Sequence, residues 1–549
     1  MNKKLMTTAL SSVLAMSALA GCSGSGGDAK QILRFGVSGF EGAFNPIISS
    51  NVYDAWVCDL IFEGLVNVDP EGGYVGELAQ DGWVIDEDKH SYTFTLKDGI
   101  KFSDGTDLTT ADVEFTYNTI KEADYAGPRT AVGAAIEKMN VIDDKTIEFV
   151  ITPNDFGPAA IENFTYGIIS KEHYQHSDWQ SLNMLNEKPL GSGIMTLDSW
   201  AAKQNVILVK NENYWDAANA AKIDGVNFVN IEEDATLLAS LANGEIDFCQ
   251  LQAKKENVEE VGKTDGIHLV SYLANGYTYM AFNTARPQLN QKEVRQALLY
   301  ALDRPSFLKQ EYGADELAAL GMAPISKTSW AYPGDDELNA YSYDLDKANK
   351  LLDDAGWTER ETVTRTDGST IECRKNANGD LLQVEWLVYP EATWPTTLSG
   401  LAFDSWGQIG VNLIVKQMDF NTVSATTKAG NHGEKNFDIY TMGFSLSVDP
   451  DPTGGLFDGD SIDEGSYNCT SWRDERSQEL MIAGKQEFDQ AKRAEIYKEW
   501  AKIQNENVPT AIVAYRAEIW GISDKVSGLD DIGVYTDWTS LVKNVTIAQ

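Results

Sequence analysis

Histidine is scarce in this chain, five residues in 549, and none of His90, His173, His176, His268 and His432 falls in an H-E-x-x-H pattern. The zincin arrangement, two imidazoles one helical turn apart with a glutamate base between them, is therefore missing. So are the G-x-S-x-G turn that presents a nucleophilic serine and the glycine-rich G-x-x-x-x-G-K-[ST] loop that cradles phosphates. ATP chemistry, where it is needed, belongs to another chain. Positive charge is short as well: 44 Lys and Arg stand against 83 Asp and Glu, a formal net charge of -39. Such a chain repels nucleic acid and anionic lipid surfaces. The acids are spread along it and read as a solvated surface. With so many of them, two neighbouring carboxylates cannot by themselves mark a glycosidase pair. Past Cys22, the cysteines Cys58, Cys249, Cys373 and Cys469 lie far apart without metal-ligand spacing. Four cysteines allow three pairings, so disulfides and four free buried thiols both stay open. The run Asp449-Pro-Asp451-Pro-Thr453-Gly454 with Asp458 and Asp460 falls partly at calcium-loop spacing. Two prolines and an Asp in place of the terminal Glu spoil the match, leaving an acidic, proline-stiffened loop. No metal and no cofactor is expected.

Long apolar runs are missing too, except at the start. Lys3 and Lys4 precede a short apolar and small-residue stretch from Leu5 to Ala20, the pattern of a secretory signal rather than a membrane span. Leu19-Ala20-Gly21-Cys22 resembles a bacterial lipoprotein signal. It implies removal of residues 1–21, a lipid on Cys22, and a flexible Gly/Ser tether over 22–29. The remainder contains no run long enough to span a bilayer.

What is present suffices for real cores: 43% hydrophobic and 10% aromatic residues. The length predicts two or three domains. Ile32–Val37 reads as a strand and Tyr53–Phe62 as a helix stopping before Gly64. Tyr92, Phe94 and Leu96 alternate with polar neighbours as in a half-buried strand. Asp98-Gly99 is a turn, Ile100–Phe102 a short strand, and Ser103-Asp104-Gly105 another turn. Thr109 with Asp112 forms a capping box for a helix carrying Val113, Tyr117 and Ile120. Lys145–Ile151 is a second strand of the same kind. Further helices carry Leu237, Leu238 and Leu241 up to Gly244, Val294 to Ala301 after a capping box at Asn290 and Glu293, Ala348 to Ala355 before Gly356, and Ala491 to Asn505. Arg360 to Asp380 reads as a polar hairpin excursion. The mixture of helices and strands gives the α/β class.

Several phrases then occur in one order. They are Leu60-Ile-Phe-Glu-Gly-Leu65, the block from Gly76 to Ile120, Lys188-Pro-Leu-Gly-Ser-Gly193, Asn211-Glu-Asn-Tyr-Trp215 and Leu241-Ala-Asn-Gly-Glu-Ile-Asp247. They continue with Val294-Arg-Gln-Ala-Leu298 and Ala301-Leu-Asp303, Ala348 to Trp357, Trp406 with Ile409-Gly410, and Phe437-Asp438-Ile439 with Asp449-Pro-Asp451-Pro452. Together they resemble the extracellular solute-binding proteins, family 5, of the oligopeptide and dipeptide ABC transporters, over essentially all of residues 30 to 549. The resemblance implies a type II periplasmic-binding-protein fold, two lobes about a hinge plus an extra domain. It puts lobe I in residues 30–71, 205–290 and 510–549, the extra domain in 72–204 and lobe II in 291–509. It further implies a non-enzymatic, monomeric, lipid-anchored extracytoplasmic protein that captures a peptide between the lobes and hands it to a membrane permease. A nickel chelate, a small glycan or a conjugated metabolite is the alternative ligand, and a secreted hydrolase the remote alternative role. Uptake and signalling are both open.

Four places correspond to ligand-contacting positions in the family. They are the loop Ser50-Asn51-Val52-Tyr53, the strand from Tyr277 to Asn283, Trp394, and the stretch from Phe444 to Asp449. In the family an aspartate in the last stretch accepts a peptide's α-ammonium, which needs such a partner once buried. Here position 448 is Val and Asp449 is the nearest carboxylate, so either an amine acceptor or a turn-forming Asp-Pro is expected there. Trp406 is assigned to the core. Arg286 and Arg374 are candidates for a ligand carboxylate.

Overall fold

The computed structural model describes residues 30–313 and 315–548; the signal segment, the tether and Cys22 lie outside the described residues. Local patterns become local elements. Asn51 caps the helix Val52–Ile61, its side-chain oxygen accepting from the Asp54 amide at 2.9 Å, and Trp56, Val57, Leu60 and Ile61 turn inward at helical spacing. Thr109 and Asp112 make the reciprocal capping box that starts Thr110–Ile120. Strand Ser91–Thr95 ladders with Thr146–Ile151 and buries Tyr92 and Phe94 beside Ile147 and Phe149. Glu359–Thr364 pairs with Thr370–Lys375 as the hairpin.

Two expectations are corrected. The helix placed after Asn290 starts at Lys292, with Gln291 at its head and no side-chain cap. The buried Arg295 guanidinium donates to the carbonyls of Leu289 and Asn290 at 2.7 and 2.9 Å. Those bonds hold residues 289 and 290 outside the helix. The strand at 100–102 reduces to one bridge, Lys101 to Asp107, because the turn at Gly105, at φ +89°, reverses the chain at once. Cys58, Cys249, Cys373 and Cys469 are all free and buried.

A twelve-stranded mixed sheet runs through the molecule. On one side stand Asn412–Gln417, Gln383–Val388, Ile439–Ser445 and Gly276–Phe282; on the other stand Phe248–Leu251, Ile32–Val37, Gly225–Asn230, Asn205–Lys210 and Met195–Ala201. The 14-residue strand Thr510–Ser523 joins the two sides. Its first half pairs with Gly276–Phe282 and its second half with Ile267–Leu273 and Phe248–Leu251. The chain 267–282 thus follows it antiparallel, with ladder pairing interrupted from Ala274 to Tyr277 and a register shift between Thr278 and Tyr279.

The apolar side chains bury themselves in two clusters, and the long strand feeds both. Ile512 to Ile519 pack with Tyr279, Leu298, Trp386 and Trp406. Trp520 and Ile522 pack with Phe35, Trp56, Phe228 and Trp538, a cluster that extends through Phe94, Phe149 and Phe164. Phe35 is its centre: the ring stacks on Phe248 at 4.2 Å and meets Trp538 edge-on at 4.9 Å, geometries the ring quadrupoles favour. No helix among the described residues is long and apolar enough to cross a membrane.

Candidate ligand-binding cavity

Where the paired strands pass from one cluster to the other, they leave a cavity of about 700 Å³, within the size range of small-molecule sites. Most of its wall comes from the Phe35 cluster and the elements around it: the helix carrying Ala55, Cys58 and Asp59, the turn Glu63-Gly64, residues 165–167, 214–216 and 532–540. Asn275, Ser445 and Val448 reach it from the other side. Asn275 sits at the break in strand pairing and donates to the carbonyls of Leu446 and Ser447 at 3.2 and 2.8 Å, fixing this rim to the strand crossing.

Carboxylates dominate the lining: Asp59, Glu63, Glu77, Asp216, Glu518 and Asp537. Neutral donors orient most of them. Glu63 accepts from the Tyr214 hydroxyl at 2.8 Å and the Trp215 indole at 2.7 Å. Glu77 accepts from the Gly64 amide at 2.7 Å and from Asn67 at 2.9 Å. Glu518 accepts from the Tyr272 hydroxyl at 2.8 Å, and Asp537 from the Trp56 indole at 3.1 Å. Asp59 opens on the water-accessible space of the cavity and receives no hydrogen bond from any described residue. Its side chain is exposed to that space, yet the protein packed around it and, next, Asp537 push its carboxyl up to about 8 while Arg129 pulls the other way. Burial and the neighbouring Glu63 push Glu77 up to about 8, and burial raises Glu63 and Asp537. The cations in the wall are Lys97, Arg129 and Lys543. Lys97 donates to the Gly76 carbonyl at 2.8 Å. Arg129 lies over the Tyr166 ring at 4.4 Å, donates one bond to the Ser49 carbonyl at 3.3 Å, and keeps a buried Nε without a partner.

None of the residues singled out from sequence lines the cavity itself: Ser50–Tyr53, Tyr277, Phe444 and Asp449 are chain neighbours of lining residues, whereas Asn283, Trp394, Arg286 and Arg374 are not. Ser50 to Tyr53 stand between the lining residues Ser49 and Ala55; Asn51 serves as helix cap, and the Tyr53 hydroxyl bonds Ser38 at 2.7 Å. Tyr277 and Phe444 stack at 5.9 Å next to Asn275 and Ser445. Asn283 is buried and donates to the Lys435 and Phe437 carbonyls at 3.1 and 2.9 Å. Trp394 packs edge-on against Tyr389. Both Asp449 oxygens are taken up by Arg493, at 2.5 and 2.7 Å in buried surroundings, so this carboxylate already has its cation. Arg286 is bound to Asp438 at 3.0 Å, and Arg374 to Asp353 at 2.5 Å and the Trp357 carbonyl. Trp406 is wholly buried against Trp386. The carboxylates of the cavity escape sequence reasoning because they are scattered from position 59 to position 537 of an acidic chain. Asp59 alone carries a local signal, as the single charge in the apolar run Trp56 to Phe62.

Residues 73–461 match the family model for bacterial extracellular solute-binding proteins, family 5, in its middle portion. The oligopeptide-binding protein AppA of Bacillus subtilis is 25% identical over 511 residues, covering 92% of this chain and 89% of AppA. A di/tripeptide-binding protein of Pseudomonas aeruginosa is 25% identical over 514 residues, 88% of each chain. The solved structure of the ABC transporter substrate-binding protein CtaP of Listeria monocytogenes superposes with a TM-score of 0.79 at 23% identity, covering 95% of this chain and 100% of CtaP. The fold class is thereby the type II periplasmic-binding-protein fold.

Proposed function

The chain belongs to the bacterial extracellular solute-binding proteins of family 5, and from that premise we propose that it is the substrate-binding component of an ABC importer, capturing a peptide in the cavity and delivering it to the membrane permease. The observation that carries this reading is the cavity itself, of about 700 Å³ and walled from both sides of the strand crossing. A ligand held by both walls favours their approach by its differential affinity for the closed arrangement. Curated relatives named for binding oligopeptides and di/tripeptides support the ligand class. In this reading lobe I comprises 30–71, 205–290 and 510–549, the extra domain 72–204 and lobe II 291–509. The two apolar clusters meeting along Thr510–Ser523 support a division of this kind.

An extended peptide running past Ser50–Tyr53 and the edge at Phe444 would pair its main chain with the protein's, as an added strand does. Such pairing ignores side chains and suits a broad ligand set. The same curated relatives, named for binding oligopeptides and di/tripeptides, support binding rather than turnover. The lipid on Cys22 would hold a monomer at the outer face of the cell membrane.

Native mass spectrometry of the protein as purified from cells, followed by sequencing of what denaturation releases, tests this. Short peptides of a narrow length range are expected. A single non-peptide mass or a metal complex would keep the transport role and replace the ligand, whereas peptide turnover without retention would overturn the role itself.

A further inference from the structure

This inference rests on the solute-binding reading of the cavity and specifies the charge of what the cavity takes. The cavity and the fold make the site; the lining decides which ligand suits it. Asp59, Glu63, Glu77, Asp216, Glu518 and Asp537 face Lys97, Arg129 and Lys543 across one space. Ion pairs are common elsewhere in the chain, as with Arg34 and Asp247 or Arg493 and Asp449. Among the described residues none of these nine forms one.

The donors that do reach the carboxylates are the Gly64 and Thr539 amides, tyrosine and threonine hydroxyls, indoles and asparagine amides, all of them neutral. Each aims an oxygen without cancelling its charge. Among the described residues Asp59 has no donor, and it faces the cavity. Acidic oxygens without a paired cation, those of Asp59 and Asp537 exposed to the solvent of the cavity, favour a ligand that brings positive charge. Aromatic rings form part of the remaining wall, with Tyr166, Tyr272, Trp520 and Tyr535 beside Tyr214 and Trp215, and ring faces attract cations in partly desolvated surroundings. Arg129, with its unpartnered Nε, offers one contact of the opposite sign, enough for a single ligand carboxylate.

The geometry points to an organic ligand carrying two or more ammonium or guanidinium groups, whose charges take the place of the counter-ions this cavity lacks, with Asp59 and Glu518 as anchoring carboxylates. A short lysine- or arginine-rich peptide and a linear polyamine share that chemistry.

Calorimetric titration of the full chain with trilysine, trialanine, triglutamate and spermidine distinguishes them. Trilysine is expected to bind about tenfold or more tightly than trialanine, to weaken steeply with added salt, and to leave triglutamate without measurable binding. D59N, which keeps shape and removes charge, should weaken trilysine about tenfold and leave trialanine within about twofold. E518Q, tested in parallel, should do the same, and an unchanged thermal transition shows that each variant is folded. Binding of spermidine but of no peptide would uphold the cationic site and overturn the peptide reading. Trialanine or triglutamate binding as well as trilysine would overturn the cationic site and leave the peptide reading standing. Absence of binding by both trilysine and spermidine also overturns it.

Discussion

Asp59 is the residue where sequence, packing and chemistry meet. It is the exposed acid of a helix that buries Trp56, Val57, Leu60 and Ile61 beside the buried Asp54, and its carboxyl is pushed up to about 8 by the protein packed around it and by Asp537 against the pull of Arg129. Glu77, facing Glu63 and near Asp59, is raised to about 8 in the same way. Both carboxyls bind protons more tightly in the folded chain than in the unfolded one, where they titrate near 3.8 and 4.5. Between those values and about 8 the folded state therefore holds the extra protons, and stability should fall as pH rises through that window, levelling above it. Thermal melts of wild type and D59N at several pH values check this: the advantage of D59N should grow from pH 5 to pH 8. A constant difference would contradict the raised carboxyl. A cationic ligand pushes the other way. It favours the ionised form, so trilysine binding at pH 7 should release protons, seen as a dependence of the calorimetric heat on buffer ionisation enthalpy. At this scale legibility was poor. The resemblance drew attention to Tyr277, Phe444 and Asp449, each already engaged by Phe444, Tyr277 or Arg493, while the acids that line the cavity are brought together only by the fold.

Among the elements, the helix Gln490–Asn507 is tied to the loop after Ile439–Ser445 by Arg493 and Asp449. The guanidinium also lies near the rings of Trp330 and Tyr497. Removing one member leaves a buried charge alone, so R493M should destabilise the protein by about 3–5 kcal/mol in urea unfolding. The double variant R493M/D449N should recover part of that loss. If the single variant proves neutral, the pair is not what holds the helix. In the second cluster, W520A removes a ring that packs on Phe35 and Phe248; a loss of about 3–5 kcal/mol is expected from the same measurement. Elements were the scale most legible in the sequence, because their signals are local. The Thr109–Asp112 box, the alternation of Ser91–Thr95 and the hairpin within 359–375 all formed as the pattern implied. Asn290 misled because Arg295, a residue five positions on, takes up backbone carbonyls at the helix start, a tertiary effect that capping rules do not contain.

At the scale of the molecule, the two apolar clusters are joined by more than the long strand. Glu162 accepts from the Tyr74 hydroxyl at 2.8 Å and from the Asp449 amide at 3.0 Å. Lys485 meets Asp155 at 3.4 Å, and Phe488 packs on Phe156 at 5.4 Å. These contacts bridge residues 74–162 and 449–488 and belong to the arrangement in which the cavity is walled. Weakening them with F488A and D155N should speed ligand dissociation in stopped-flow measurements and leave association nearly unchanged. An altered association rate with constant dissociation would contradict this. The class and the general architecture were legible through ordered phrases. The crossing of 267–282 against 510–523 was not, since its partners lie more than 200 positions apart.

The four sequestered sulfurs give the folded chain a clock. An extracellular compartment is oxidising and cross-links thiols that reach solvent, so a chain carrying reduced cysteines through it is protected only while its interior stays shut. Cys58 sits in one cluster, Cys249 and Cys469 in the other, and burial holds each thiol in its unreactive protonated form. The pace at which an alkylating reagent captures each sulfur is then the pace at which that region opens. Cys58, next to Asp59 in the cavity wall, reads whether the chamber is filled.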